Sequence, residues 1–304
     1  CHRSAPTTQP QIMASVEEAE KTLADAIKKA NSKGFLGGMF SNPTTKYEQA
    51  IELCDEAANM FKMNKKWARA AEAYMQQAEY QQVVKNPFEA AACFKNAATM
   101  FKKVENKRAV RPLEMTMEIF ASISKFPQAC KAAMECAELL EKEVVDIEAA
   151  TAMYEKAVDY AQMDGQSQSS ENKANVKLAS LLAQSEQWAR AIEIYEQVAE
   201  SMVDNNLLKF SCKEYFLKAG LCTLASGDVV GAKVKHERYE SNAAYFRDSR
   251  ESKFLVALAD AMENEDVDEY TQVVKEYDAV AKLDGWMTQI LLTIKKSMAG
   301  EDLL

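Results

Sequence analysis

The sequence predicts an all-α protein, a right-handed α-solenoid of antiparallel helical hairpins closed by a C-terminal helical bundle. Two observations predict this fold class. A short residue pattern returns at least six times at a spacing of about 20 residues, which is the mark of a repeat architecture. Little interrupts the helices, since the 304 residues include nine Gly and six Pro.

Each copy of the pattern starts with an aromatic residue or Ile, has Ala three residues later and a small or β-branched residue next, and usually ends with an aromatic residue. These offsets lie on one stripe of an α-helix. Small central residues allow close helix approach, and a hairpin of about 40 residues must stack to bury its stripe, as in TPR-like folds. The copies start at Tyr47, Trp67, Phe88, Phe126, Ile147 and Trp188.

The N-terminal part of the chain divides at breaks in this pattern. Residues 1–12 lack periodicity and are predicted to be a disordered leader. A first helix is expected from Met13 to about Asn31. The segment 32–43 has three Gly within five residues and ends in Asn-Pro, which excludes a helix interior. Paired helices then run to about Met163, although Pro112 either starts its helix late or kinks it.

The C-terminal part begins after a Gly-, Ser- and Gln-rich turn at 163–170. Helices resume to about Glu200, and another pair is expected at 207–226 and 229–241. Past about His236 the Ala-centred pattern fades and acidic residues crowd the sequence. We therefore assign 13–235 to a twisted sheet of hairpins and 236–304 to a helical bundle with an acidic tail.

Composition narrows the possible functions. The net charge of −9 argues against nucleic acid as the main partner. The sequence has no run of about 18 apolar residues, so no membrane span is predicted. The seven Cys include no C-x-x-C pair and mostly occupy small positions of the helical stripe, which indicates reduced thiols in a cytosolic protein.

Catalytic and metal-binding motifs are missing from the sequence. It contains two His, His2 in the leader and His236, which is expected to face solvent on a helix flanked by Lys and Glu. Neither has a neighbouring group suited to metal binding or catalysis. We predict that the chain is not an enzyme and uses no cofactor or metal.

Three features of the sequence suggest binding surfaces, and each also has a purely structural or solvating interpretation. Four large apolar residues on a Gly-rich loop either fold back as a plug or touch a membrane or partner, aided by nearby Lys: Phe35, Leu36, Met39 and Phe40. Lys residues near successive helix ends form either a basic stripe or a scattered solvated face: Lys102, Lys103, Lys125, Lys131, Lys173, Lys177 and Lys213. Acidic residues near the C-terminus either attract a basic partner or merely aid solubility: Asp228, Asp260, Glu263 and the terminal Glu-Asp-Leu-Leu.

Several segments are more specific than a generic repeat. They resemble the soluble NSF attachment proteins, with the alpha type nearest, and the likeness runs from about Ala19 to Leu304. The segments are 59–63 (NMFKM), Trp67, 143–148 (EVVDIE), 191–198 (AIEIYEQV), 248–250 (DSR) and 274–278 (VKEYD).

The resemblance implies a cytoplasmic adaptor, peripherally associated with membranes, that binds SNARE four-helix bundles of the syntaxin type and recruits the hexameric ATPase NSF to disassemble them. Phe35 to Phe40 would touch the membrane. SNARE-facing residues would be Lys102, Lys103, Lys125, Lys131, Lys173 and Lys213. ATPase-facing residues would be Asp228, Asp260, Glu263, Glu301, Asp302 and Leu303. The chain departs from the family pattern at Asn264, at Leu36 and in its short terminal acidic stretch.

A TPR-type peptide-docking scaffold or co-chaperone is the alternative function. Such modules line a groove with Asn, Lys and Arg at fixed repeat positions. The Ala-centred stripes carry no matching polar set, which favours the adaptor.

Overall fold

The computed structural model describes residues 9–32, 44–165 and 168–300, with side chains from residue 16 onward. These ranges form fourteen α-helices and no strand, so the predicted all-α solenoid of helical hairpins is confirmed. The helices are α1 Gln9–Asn31, α2 Thr45–Met63, α3 Trp67–Val83, α4 Pro87–Phe101, α5 Val110–Ser122, α6 Phe126–Leu139, α7 Ile147–Asp164, α8 Gln168–Gln184, α9 Trp188–Val203, α10 Cys212–Ala225, α11 Val229–Asn242, α12 Arg250–Glu263, α13 Val267–Val280 and α14 Gly285–Met298.

The chain forms two compact units, residues 1–167 and 168–304. The division falls inside the turn predicted at 163–170, whereas the sequence analysis placed the domain boundary at 235/236. In the first unit, α1 to α7 each pack against their neighbours in sequence. The second unit begins with α8.

Short turns between helices repeat one backbone arrangement. Lys65 and Ser124 adopt positive φ angles of 55°. The amide of the next residue donates a hydrogen bond to the carbonyl five residues earlier. Lys66 N donates to Phe61 O at 2.8 Å, and Lys125 N donates to Phe120 O at 2.8 Å. This is the Schellman type of helix end, usually built on Gly. Because Lys or Ser occupies the left-handed position here, these turns lack the Gly by which a sequence usually predicts a helix end.

The core is built from the central residues of the repeated pattern. Ala50, Ala70 and Ala129 are fully buried, and the closing aromatic residue Tyr154 is buried with them. The opening aromatic residues are not in the core: Phe88 is 52% exposed, and the others lie partly at the surface where their helices begin. Small side chains therefore set the contact between helices, and rings line its margin.

The structure resolves or corrects three expectations about where helices begin. Helix α1 begins at Gln9, so residues 9–12 are helical; Pro10 is tolerated because first-turn amides need no helical acceptor. Pro112 lies in the first turn of α5 and does not kink it. Helix α10 begins at Cys212, after a series of turns, and not at 207.

The expectation for His236 was wrong. Its side chain is buried, its Nε2 lies 2.7 Å from Ser252 Oγ, and its ring contacts Phe246 with centroids 5.8 Å apart. The charged neighbours on α11 suggested exposure, but the packing of α12 and the preceding turn covers this face.

In the second unit, α14 returns to α8 and α10. The indole Nε1 of Trp286 donates to Ser180 O at 3.2 Å, and its ring meets Tyr195 edge-on at 5.7 Å. The ammonium of Lys218 lies 5.4 Å from the same ring. These contacts join α14 to α8, α9 and α10 within the second unit.

Cysteines are structural in the described ranges. Cys54, Cys93, Cys136, Cys212 and Cys222 are buried and form no disulfide, which confirms free thiols at these five positions, and Cys130 is buried as well. Burial raises the pKa of the Cys54, Cys93 and Cys136 thiols to about 12. Since the thiolate is the reactive form, these groups behave as small apolar side chains.

Val145 provides a test of a second kind of helix end, in which the Asp146 amide donates to Leu140 O, six residues earlier. Val145 follows a π-helical turn, Leu140–Val144. Its own φ of 60° and ψ of 46° are left-handed, a conformation that β-branched residues rarely adopt. We expect Val145→Gly to raise the free energy of unfolding by about 1 kcal/mol, because Gly relieves the steric cost. Urea unfolding measures this change.

The control is Val234→Gly in the interior of α11, where Val234 is 62% exposed. Gly is less favourable than Val in a helix interior by roughly 0.3–0.5 kcal/mol, so the two substitutions should act with opposite signs. Loss of stability in Val145→Gly would show that the turn tolerates Val without strain.

Candidate protein-binding surfaces

Lys102 ends α4 and is held by a carboxylate of α6. Its Nζ lies 2.8 Å from Glu135 Oε1, and Lys95 Nζ lies 3.9 Å from Glu135 Oε2. All three side chains are partly exposed, so solvent screens these pairs. Lys102 therefore presents a charge that an acidic partner must share with Glu135.

Two further predicted lysines lie against rings. Lys103 Nζ is 4.0 Å from the ring centre of Trp67, and Lys125 Nζ is 6.0 Å from that of Phe88. Cation–π contacts at exposed sites contribute about 0.5–1 kcal/mol. They orient each ammonium group and leave it accessible to a carboxylate.

Lys131 lies on the wall of a groove formed by α4, α5 and α6. The groove has a volume of about 270 Å³, and its lining includes Phe88, Lys95, Phe120 and Glu135. Apolar rings and Lys ammonium groups therefore share one concave surface. Such a lining suits a partner helix that offers both apolar and acidic side chains.

In the second unit, Lys173 and Lys213 have different surroundings. Lys173 lines a pocket of about 260 Å³ together with Asn172, Met202, Leu208 and Tyr215. This pocket lies among α8, α9 and the residues that lead into α10. Lys173 is exposed and available for contact.

Lys213 is committed to a partly buried ion pair. Its Nζ lies 3.3 Å from Glu251 Oε2, and Arg250 Nε binds Glu251 Oε1 at 2.9 Å. Burial opposes ionisation of Glu251, but the Arg250 hydrogen bond and the Lys213 charge outweigh it and lower the pKa of this carboxyl. Lys213 thus stabilises α12 in addition to any role in binding.

Two predicted acidic residues of α12 come together around a lysine of α11. Lys233 Nζ lies 2.6 Å from Asp260 Oδ1 and 2.7 Å from Glu263 Oε2, and these hydrogen bonds raise the pKa of the Lys233 ammonium. Asp228 caps α11 by accepting the Gly231 amide at 2.7 Å. One lysine therefore offsets part of the predicted acidic charge.

Two predicted sets lie outside the described residues. They are the loop residues Phe35, Leu36, Met39 and Phe40, and the tail residues Glu301, Asp302 and Leu303. The residues that flank the loop are described: Lys46 Nζ donates to Ser32 O at 3.2 Å.

The sequence analysis missed an exposed apolar turn in the second unit. Leu207 is 90% exposed and Phe210 is 60% exposed. The Phe210 ring meets Tyr245 at 4.8 Å, with Lys209 Nζ 5.0 Å from the Tyr245 ring. The sequence predicts a helix from 207 here, because the apolar residues resemble a buried helix face and no Gly or Pro marks the turn.

The described ranges contain neither a membrane-spanning helix nor a metal site. No helix there is long and apolar enough to cross a membrane. No group of three or more His, Cys, Asp or Glu residues in those ranges is arranged to hold a metal ion.

Comparisons with known proteins agree with the helical hairpins. The sequence model of the family described as soluble NSF attachment protein matches residues 17–299. The chain is 42% identical to alpha-soluble NSF attachment protein of Mus musculus, over 94% of this chain and 96% of the relative. It is 33% identical to a probable vesicular-fusion protein, a sec17 homologue of Schizosaccharomyces pombe, over 95% of this chain and 99% of the relative.

A solved structure shares the fold. It is a signal transduction ATPase with a tetratricopeptide repeat sensor from Pyrococcus horikoshii, with TM-score 0.50, 14% identity, and coverage of 95% of this chain and 46% of that one. At this identity the likeness shows the fold alone.

Glu196 generates a prediction about pH. Burial opposes its ionisation, but hydrogen bonds from Lys235 (2.6 Å), Tyr239 and Arg238 (2.7 Å) prevail and lower its pKa. A pKa lowered by folding stabilises the protein fully above the unfolded value of about 4.3, and this contribution is lost as pH falls through the folded pKa. We expect Glu196→Gln to cost about 2 kcal/mol at neutral pH and less in acid.

Urea unfolding at pH 7 and at acidic pH measures this difference. Glu193→Gln, an exposed position on the same helix, is the control and should leave stability nearly unchanged at both pH values. An equal loss for Glu196→Gln at both pH values would show that packing, and not charge, explains the effect.

Proposed function

The chain belongs to the soluble NSF attachment protein family, and from that premise we propose that it is an adaptor for SNARE disassembly. It binds assembled SNARE bundles, recruits the ATPase NSF and stimulates it to separate the bundle after membrane fusion. The observation that carries this proposal is a family match that runs through both units and includes the segments bearing the basic and acidic surfaces. Members of this family are adaptors and not enzymes, and in this proposal the ATPase supplies the catalytic activity.

The groove of α4, α5 and α6 supports SNARE binding. A SNARE bundle is a coiled coil with a polar surface, and its carboxylates suit the ammonium groups of Lys125 and Lys131. Each exposed contact contributes on the order of 1 kcal/mol or less. Several adaptors on one bundle, held at one membrane, strengthen the assembly through effective concentration.

The lysines differ in how freely they can act. Lys103, Lys125 and Lys173 are exposed, and no ion pair is seen for them in the ranges that the structure describes. Lys102 must exchange Glu135, and Lys213 must loosen Glu251 in the interior of the second unit. We propose that Lys125 and Lys131 contribute more to bundle affinity than Lys213.

The α11–α12 acidic cluster and the terminal tail face the ATPase in this proposal. Asp260 and Glu263 attract a basic surface, with Lys233 between them as a competing cation. Glu301 and Asp302 add charge, and Leu303 supplies an apolar contact. Phe35, Leu36, Met39 and Phe40 hold the adaptor at the membrane, so it acts in the cytoplasm as a peripheral protein.

Charge reversal tests the SNARE-binding surface. We expect Lys125→Glu with Lys131→Glu to weaken binding to a soluble SNARE bundle at least tenfold and to flatten its salt dependence, since attraction becomes repulsion. Titration of a labelled bundle at two salt concentrations measures both effects.

The matched control is Lys275→Glu with Lys282→Glu, which makes the same change in net charge in and after α13. Unchanged affinity in the Lys125/Lys131 variant would show that this is the wrong surface. An equal loss in the control would show that net charge, and not a local site, governs affinity.

The terminal leucine is tested separately from recruitment. We expect Leu303→Ala to bind SNARE bundles and bring NSF to them, yet to fail in accelerating ATP-driven disassembly. Loss of an apolar side chain buried on binding costs about 1–3 kcal/mol, while Asp228, Asp260 and Glu263 remain. Leu292→Ala, at a 52% exposed position on α14, is the control. Disassembly at the unmodified rate by Leu303→Ala would remove the tail from the mechanism.

A further inference from the structure

One edge of the first unit collects alternate helix ends. Consecutive helices joined by short turns run antiparallel, so the end of α1, the start of α2, the end of α3 and the start of α4 share an edge. We call this the loop edge, because residues 32 and 44, which flank the segment 33–43, lie there. The Lys46–Ser32 hydrogen bond joins the end of α1 to the start of α2.

Ring contacts recur along the loop edge. Each joins the start of an even-numbered helix to the last turns of the next helix. The pairs are Tyr47 with Tyr80 at 5.9 Å, Phe88 with Phe120 at 6.2 Å, and Phe126 with Tyr160 at 6.4 Å. The α3–α4 turn therefore follows next along the edge after the residues that flank 33–43.

The α3–α4 turn exposes apolar and basic groups together. Val83 is 49% exposed and Phe88 is 52% exposed, and the exposed Lys85 lies between them with φ 61°. Residues 83–88 include no acidic residue. Apolar side chains flanking a cation, next to an aromatic ring, are the groups that bind at the headgroup region of a bilayer.

We propose that the α3–α4 turn is a second membrane-contacting element that meets an anionic bilayer beside the segment 33–43. Val83 and Phe88 enter the boundary between headgroups and acyl chains, and Lys85 binds anionic headgroups. The inference rests on the membrane attachment in the proposed function and extends it to residues outside the loop.

Position, and not exposure alone, selects this turn. Met63 and Val104, in turns at the opposite edge, are 83% and 53% exposed. The α3–α4 turn shares the loop edge with residues 32 and 44, about 20 Å away at 8–10 Å per packed helix. Once the loop touches a bilayer, the turn meets the same surface at high effective concentration.

Vesicle flotation of the full chain tests the proposal. The vesicles contain phosphatidylcholine alone or with phosphatidylserine. Val83→Ser with Phe88→Ser should weaken binding about tenfold on both compositions, because two partly inserted side chains are lost. Lys85→Glu should weaken binding to the phosphatidylserine vesicles alone. Met63→Ser with Val104→Ser is the matched control at the opposite edge and should bind as the unmodified chain does.

Three results would overturn the proposal. The first is unchanged flotation of the Val83/Phe88 variant while Phe35→Ser, Leu36→Ser and Phe40→Ser together abolish it; the loop then acts alone and the adaptor function stands. The second is an equal loss in the opposite-edge control. The third is reduced disassembly of soluble SNARE bundles by Val83→Ser alone, because Val83 lies outside the lining of the α4–α5–α6 groove and such a loss would assign the turn to protein binding. Weakened flotation of Val83→Ser with normal soluble disassembly supports the proposal.

Discussion

Close contact between Ala-lined helix faces is the constraint on which the first unit depends. Ala50, Ala70 and Ala129 have no exposed surface, so adjacent backbones approach until these methyl groups meet. Little apolar area is available per contact, and stability must come from stacking many helices. Where only a few residues join two paired helices, the first helix must end abruptly. Residues such as Lys65 therefore accept a left-handed conformation at the end of a helix.

The periodicity of small residues was enough to predict the array of helices, and the division between the units falls within the Gly- and Ser-rich segment 163–170. The turns within each unit were less visible, because Lys or Ser stands where Gly would normally signal a helix end. His236 shows a second limit. Its own helix is polar, and its burial depends on Phe246 and Ser252, which lie in other elements. Local pattern reports the face of a helix, whereas tertiary packing decides what covers it.

The candidate surfaces show the same limit in electrostatics. The sequence predicted which charges lie near helix ends, but not which opposite charges they meet. Lys102 meets Glu135, which is 33 residues away, and Lys233 meets Glu263, which is 30 residues away. Such pairs arise because successive helices lie side by side. These pairs partly neutralise the surface charge, so a charged partner must compete with a residue of the chain itself.

This competition distinguishes two kinds of ion pair. The Lys102–Glu135 pair is partly exposed, so its exchange for a partner carboxylate costs little. Glu196 is largely buried and held by Lys235, Arg238 and Tyr239, and removing its partners would leave an uncompensated charge. The adaptor role that we propose requires exchangeable pairs where the chain binds a partner and fixed pairs where it holds its shape. The exposure of each carboxylate therefore separates binding from scaffold, and affinity can change at the surface without loss of the fold.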